Sequence, residues 1–406
     1  MNILIVNQPI NNRGDEAAHR ALVRTLLQRL PDAKITVLFF WEQKETVDQY
    51  VVKSPNVQYV NYRNPHFAWG KFVALGFKYE MPFAWSLHPT TRGLLKYYKE
   101  CDVVLSAPGG ISMGGFQNWT HLLMLYFAKY VQKPIAYYGR SFGPFPTDTK
   151  LKKKYKEKSY EILNYVSFLS IRDARTEQLA KDMGLKYVST VDTAFLEQPR
   201  VTLQEELQTV SNERPYVVYV PNELTWHYNY KDRYTHEMVL DYFSRMCNIL
   251  IDKFEDHNIL MLPQTFNYHN YKDDINFFKE LKERVGSERV VVLSDRYGSD
   301  IQQTLISNAA CVVGARYHSV VFAINNVVPF VALSYEHKIE GLLESLGKHD
   351  NMIDIVHAMD NNDTIKKSLE EFKEKLNLAK PDKVAQELAK EKAEESMNKF
   401  IELVNG

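Results

Sequence analysis

A chain of 406 residues exceeds what one ordinary hydrophobic core organises and suffices for two domains. Its 50 Lys+Arg balance 50 Asp+Glu, so no global field favours nucleic acid as a partner. Cys101, Cys247 and Cys311 are far apart, form no metal-ligand pair and fit a reducing compartment. No window approaches the ~18–20 apolar residues of a membrane span. The amino terminus shows no signal-peptide pattern, so a cytoplasmic placement is expected, with the inner face of the membrane as the alternative.

In chain order, residues 2–7 (NILIVN) read as a buried strand, followed by NNRGDE and an amphipathic helix to about Arg29. Gly14 permits a tight turn there, and Asp15 and Glu16 suit a helix's first turn, where the dipole favours carboxylates. Asn11–Glu16 is thus either a turn and a helix start or a strand-end loop whose carboxylates meet a proton or a sugar hydroxyl. One glycine does not make a dinucleotide fingerprint. Residues 34–40 and 56–61 are further strands. Residues 63–100 mix Phe67, Trp69, Phe72, Phe77, Phe83 and Trp85 with lysines. Their unclean helical pattern favours helix packed on a sheet over the alternative, an aromatic, basic surface meeting a membrane or a lipid-linked substrate.

Residues 102–107 form a strand that ends in Pro108-Gly109-Gly110, with Gly114-Gly115 beyond. Glycines at a strand end let backbone N–H groups approach an anion or a sugar, or merely form a turn. A helix over 119–131, a strand over 134–139, the loop RSFGP at 140–144 and a helix over 151–165 follow. The strand 166–170 ends at Arg172-Asp173, and the strand 187–191 ends at Asp192. Strands alternating with helices throughout 1–196 predict a parallel, doubly wound sheet.

Residues 197–214 are polar and read as a linker, after which the alternation restarts with strands near 216–220, 259–262, 290–293, 311–313 and 328–333. Loops carrying Trp226, His227, Tyr228, Gln264 and His269 follow two of them. Arg316 and His318 stand where one strand hands over to a helix, and Glu336, His337 and Lys338 stand at the end of the next. A fixed guanidinium, a titratable imidazole and a helix's amino end suit an anionic substrate. The same pair could instead cap carbonyls and pair with a neighbouring carboxylate. A charged helical tail closes the chain. The expected fold class is α/β, with two Rossmann-like doubly wound domains facing a cleft in a GT-B-type glycosyltransferase architecture. The expected division is 1–196, a linker at 197–214, 215–362, and a helical tail at 363–406 packing back on the first domain.

Several motifs then fall in order: Asn11 to Glu16, Gly109-Gly110, Phe142-Gly143-Pro144, Ile171-Arg172-Asp173 with Thr176, Asp192 before Phe195, and Gly314 to Ser319 with Pro329 and Tyr335 to Lys338. Together they resemble the polysaccharide pyruvyltransferase family over roughly residues 1–347. The resemblance implies transfer of the enolpyruvyl unit of phosphoenolpyruvate onto two hydroxyls of a sugar, free or lipid-linked, giving a cyclic ketal and phosphate. It implies that Arg172 and Arg316, with Lys338, hold the donor and that His318 is the acid/base residue. It brings no metal and no cofactor. The acceptor is expected near Asn11, Asp15, Glu16, Gly109 and Gly110. Two departures stand out: only two glycines follow Ala107-Pro108 where three are usual, and Tyr317 replaces a more usual aliphatic residue. The competing readings are a nucleotide-sugar glycosyltransferase on the same architecture, with Glu336 or Glu340 for a ribose, and a non-catalytic sugar-binding protein.

Overall fold

The computed structural model describes residues 1–9, 12–39, 48, 50–62, 76–77, 79–114, 117–205, 207–208, 214–227, 230–266, 273–293 and 295–406. The chain divides into two compact units. The first is Met1–Ile10, Ala18–Leu196 and Lys392–Gly406; the second is Asn11–Ala17 and Glu197–Glu391.

In the first unit, strands β1 (Asn2–Val6), β2 (Lys34–Phe39), β3 (Val57–Asn61), β4 (Val103–Ser106), β6 (Ile135–Tyr137), β8 (Phe168–Ile171) and β9 (Val188–Ser189) form one parallel sheet in the order β3-β2-β1-β4-β6-β8-β9. Helices covering both faces of a parallel sheet bury every strand residue, so the central strands are unbroken apolar runs such as Ile3–Val6. The helices are α1 (Arg13–Arg29), which starts in the second unit, α2 (Ala84–Leu87), α3 (Pro89–Glu100), α4 (Trp119–Tyr130), α5 (Lys150–Tyr165) and α6 (Ala174–Asp182). Side-chain caps start several of them: Asn118 accepts from His121 N at 2.9 Å and Asp173 from Thr176 N at 2.9 Å. A separate parallel pair joins β5 (Gly109–Met113) to β7 (Arg140–Phe142).

The second unit repeats the construction. Strands β10 (Tyr216–Val220), β11 (Asn258–Met261), β12 (Val290–Val292), β13 (Val312–Gly314), β14 (Phe330–Ser334) and β15 (Met352–Asp354) lie in the order β12-β11-β10-β13-β14-β15, all parallel. Its helices are α7 (His236–Lys253), α8 (Asp274–Val285), α9 (Ser299–Ser307), α10 (Tyr317–Asn325), α11 (His337–Ser345) and α12 (Asn362–Leu378). Helix α13 (Lys383–Asn405) begins in this unit and ends in the first, where Phe400 packs on Tyr138 and Phe168 at ring distances of 5.8 and 5.7 Å. In both sheets the strand order reverses beside the first strand, between β1 and β4 and between β10 and β13. Such a switch point opens a crevice at the strands' carboxyl ends.

The division departs from the expected one in three places. Residues 11–17 group with the second unit, because Arg13 N donates to Gln264 O at 2.9 Å and Glu16 accepts from Ser299 N at 3.0 Å. The tail is two helices broken at Pro381, and only Lys392–Gly406 joins the first unit. The expected linker is bonded into the second unit where it is described: Asn325 Nδ2 donates to Glu197 O at 2.6 Å, and Val201 N donates to Thr304 Oγ1 at 3.1 Å.

Candidate active site

The second unit's switch point gathers the most chemistry. Val220 and Gly314, the ends of β10 and β13, pair directly. A Cβ on Gly314 would lie 2.0 Å from Ser319 Oγ, so glycine there lets α10 begin at once. Arg316 is the residue before α10, in extended conformation and without a side-chain cap. Its largely buried guanidinium pairs with Asp274 Oδ1, while Asp274 Oδ2 accepts from Gln264 N at 3.0 Å and Thr265 N at 2.8 Å. Asp274 thus ties the guanidinium to the backbone N–H groups of Gln264 and Thr265. Burial opposes the Arg316 charge, and Asp274 more than restores it, raising the pKa. Arg316 Nε is buried with no hydrogen-bond partner among the described residues, and so is Asn222 Nδ2 at the end of β10. A cavity of about 510 Å³ opens on Arg316, lined also by Trp226, Thr225, His236, Asp273 and Phe277. The uncapped start of α10 and the Arg316 side chain thus stand at a cavity whose lining also carries Lys231 and the carboxylates of Glu223, Asp273, Asp274 and Glu280.

His318 lies in the first turn of α10, largely buried, with its ring 5.0 Å from that of Tyr317 and 6.0 Å from that of Phe322. Its other neighbour is Gly14. A Cβ there would lie 1.7 Å from His318 Nδ1 and 1.9 Å from Cγ. Gly14 therefore serves inside helix α1 as the gap that receives the imidazole, not as a turn residue. The rest of that first turn is anchored. Arg13 pairs with Glu16 at 2.7 Å, donates from Nη2 to Arg296 O at 2.6 Å and lies 4.5 Å over the Phe266 ring. Glu16 Oε1 accepts from Ser299 N and Oγ, and Asn12 and Asp15 bond each other reciprocally as a cap.

The acceptor residues expected from the sequence are placed as follows. The Glu16 carboxylate is fully buried at the start of α9, and Asp15 closes the cap of α1, so both carboxylates hold the fold. Asn11 lies outside the described residues, as do Tyr228 and His269. Gly109 and Gly110 belong to strand β5 rather than to an open loop. Beside them Arg140 donates to Ala107 O at 2.5 Å, Asn7 O at 3.1 Å and Ser112 Oγ at 2.9 Å, stapling the ends of β1, β4 and β5.

Lys338 Nζ lies 3.0 Å from Glu336 Oε1, and His227 Nε2 approaches the same carboxylate at 3.8 Å. Burial alone would push the Glu336 carboxyl up, yet Lys338 and His227 hold it below its ordinary value. Burial lowers the His227 pKa despite Glu336. Glu336 is therefore engaged by the Lys338 ammonium and approached by the His227 ring, both of its own unit. In the first unit Arg172 is buried at the end of β8 and paired with Asp192, whose Oδ1 accepts from Ala194 N at 3.0 Å; Asp173 caps α6. Sequence reasoning missed Asp274, Asp273, His236 and Arg13. Among the described residues no group of three or more His, Cys, Asp or Glu comes together as a metal site.

Comparison with known proteins adds three findings. Residues 12–337 match the family model for polysaccharide pyruvyl transferase. The chain is 22% identical over 390 residues to the amylovoran biosynthesis protein AmsJ of Erwinia amylovora, covering 89% of each. Among solved structures it resembles Anabaena Alr3699/HepE, in complex with UDP and glucose, at 13% identity and TM-score 0.57 over all of both chains. It also resembles UDP-GlcNAc 2-epimerase of Neisseria meningitidis at 12% identity and TM-score 0.57, over 98% of this chain and 100% of that one. At these identities the structural likeness shows the fold alone, the GT-B type built from two Rossmann-like domains.

Proposed function

The chain belongs to the polysaccharide pyruvyl transferase family, and from that premise we propose that it moves the enolpyruvyl unit of phosphoenolpyruvate onto two hydroxyls of one sugar in a polysaccharide or its lipid-linked precursor. The observation that carries the donor assignment is Arg316, a largely buried guanidinium fixed by Asp274 at the uncapped start of α10 and lining a cavity. A guanidinium fork and helix N–H groups match carboxylate and phosphate oxygens. Arg172 is proposed as a second guanidinium for the donor and Lys338 as a supporting charge.

In the proposed reaction the His318 imidazolium gives its proton to the donor's methylene carbon, making a methyl group and leaving positive charge at the adjacent carbon. One sugar hydroxyl attacks that carbon and gives its proton back to the imidazole. The C–O bond to phosphate breaks with its electron pair. The second hydroxyl closes the ring and its proton leaves with phosphate. Donor and diol thus yield ketal and hydrogen phosphate with no redox change. An imidazole that both donates and accepts suits this sequence.

The test is calorimetric titration of the whole chain with phosphoenolpyruvate and, separately, with UDP and UDP-sugars, followed by phosphate release in the presence of oligosaccharide diols. Donor binding that is lost in Arg316→Lys, with phosphate released only when a diol is present, supports the assignment. Tight UDP binding with no response to phosphoenolpyruvate would replace it with nucleotide-sugar transfer.

A further inference from the structure

Helix α2 is one turn long and two-sided. Ala84 and Trp85 are buried, with the Trp85 ring 5.7 Å from that of Phe77 and 5.2 Å from that of Phe127. Phe83 and Leu87, four residues apart, point the other way and are 52% and 62% exposed. Tyr79 and Met81 just before them are exposed too. Glu80, between these two, lies 3.9 Å from Lys154 and 3.3 Å from Lys158 of α5, which joins this stretch to that helix. Leu151, one turn before Lys154 on the same face of α5, is 61% exposed. The result is a set of exposed apolar side chains on the first unit, on a stretch tied to α5 through Glu80.

Its border is strongly basic. The first two turns of α5 carry Lys150, Lys152, Lys153, Lys154 and Lys156 against Glu157 alone. Lys150 and Lys153 are exposed. Lys129 and Lys158, which line a neighbouring cavity of about 470 Å³, are both held by Glu161, Lys152 is held by Asp148 and Lys154 lies between Glu80 and Glu157, so the exposed Lys150 and Lys153 are the α5 lysines placed to meet an outside anion. Exposed aromatic and aliphatic side chains ringed by lysines fit the boundary of an anionic bilayer, where rings and alkyl groups enter the interface and ammonium groups meet lipid phosphates. A second copy of the chain is a poorer occupant, since a two-fold contact on this patch brings lysine helix against lysine helix. Among the described residues no helix is long and apolar enough to cross a membrane, so attachment here is to one leaflet.

We propose that the patch formed by Tyr79, Met81, Phe83, Leu87 and Leu151, with the α5 lysines, docks the protein on an anionic membrane surface. The placement is independent of the donor chemistry and complements an acceptor carried on lipid. The test is co-sedimentation of the full chain with phosphatidylcholine vesicles, with and without phosphatidylglycerol. Binding is expected to the anionic vesicles and to fall with added salt. Lys150→Gln with Lys153→Gln should weaken it about 25-fold, since each lysine near such a surface contributes about fivefold. Phe83→Ser with Leu87→Ser should weaken it at least about tenfold while thermal stability stays unchanged, because both side chains are already exposed. No sedimentation with either vesicle, or undiminished binding by both variants, overturns the proposal. A concentration-dependent dimer abolished by the Phe83/Leu87 variant would give the face to a second copy instead.

Discussion

Gly14→Ala tests the placement of His318 without touching its chemistry. In a helix the substitution is ordinarily favourable, worth up to about 1 kcal/mol in an interior turn and less near an end. Here the added methyl would stand 1.7, 1.9 and 2.3 Å from Nδ1, Cγ and Cε1 of His318. No rotation of a methyl relieves such an overlap, so either the imidazole swings away or the first turn of α1 lifts. That turn is pinned by Arg13 N on Gln264 O and by Glu16 on Ser299, so the imidazole is the part that yields. Overpacking of this kind costs about 1–3 kcal/mol. With the smaller helix gain set against it, the net loss of stability is about 0–3 kcal/mol. A displaced general acid/base costs on the order of 10²–10⁴-fold in turnover. The assay is phosphate release with phosphoenolpyruvate and an acceptor diol, run beside thermal unfolding, with His318→Gln as the reference. Gly14→Ala is expected to stay folded and to lose activity on the scale of His318→Gln. The double variant should lose no more than His318→Gln alone, because both changes remove one interaction. A Gly14→Ala protein with a raised melting temperature and wild-type turnover would refute both the packing of the imidazole and its role.

Asp274→Ala leaves the buried Arg316 charge uncompensated and should cost about 3–5 kcal/mol by urea denaturation; a change under 1 kcal/mol would mean that the pair is not buried as described. Arg172→Lys keeps a charge beside Asp192 but loses the fork, so phosphoenolpyruvate affinity should fall on the order of tenfold by calorimetry; unchanged affinity would remove Arg172 from the donor site. Glu336 has a folded-state pKa below its ordinary 4.5, so the folded protein binds fewer protons than the unfolded one in that window. Its stabilisation is complete above about pH 4.5 and declines as pH falls through the folded-state value. Glu336→Gln should flatten that acid limb in denaturation curves, and an identical limb would sink the assignment.

How much of this was legible before the structure depends on how local each signal is. Strands buried on both faces show as runs such as YVVYV at Tyr216–Val220, and β10 spans just those residues. The short β5, β7 and β15 carry Gly, Arg and Asp and exist because a distant partner completes their hydrogen bonds, so no local run marks them. Arg316 and His318 were legible because a polar pair after a buried strand falls at a sheet's carboxyl edge. Asp274 was not. It stands in the first turn of α8, beside Asp273, which caps that helix with Ile275 N donating to Oδ1 at 3.1 Å. Asp274 turns instead to Arg316, 42 residues away, a choice made by tertiary packing. Gly14 was read as a turn glycine from composition alone; the ring that requires it comes from the far end of the second unit's sequence.

The carboxylate partners change what the arginines mean. Arg316 has Asp274, Arg172 has Asp192 and Arg13 has Glu16, the last two pairs buried and the first largely so. A buried guanidinium with no counter-charge would destabilise the folded protein whenever no ligand is bound, and an aspartate removes that cost at the expense of net positive charge. Attraction for a highly charged donor then rests less on the summed field than on where the remaining N–H groups point. At Arg316 they point where Asp274, held by the backbone of Gln264 and Thr265, directs them. Under the proposed function, discrimination between phosphoenolpyruvate and other phosphorylated acids would then rest on how the Gln264 and Thr265 backbone holds Asp274 as much as on the arginine itself.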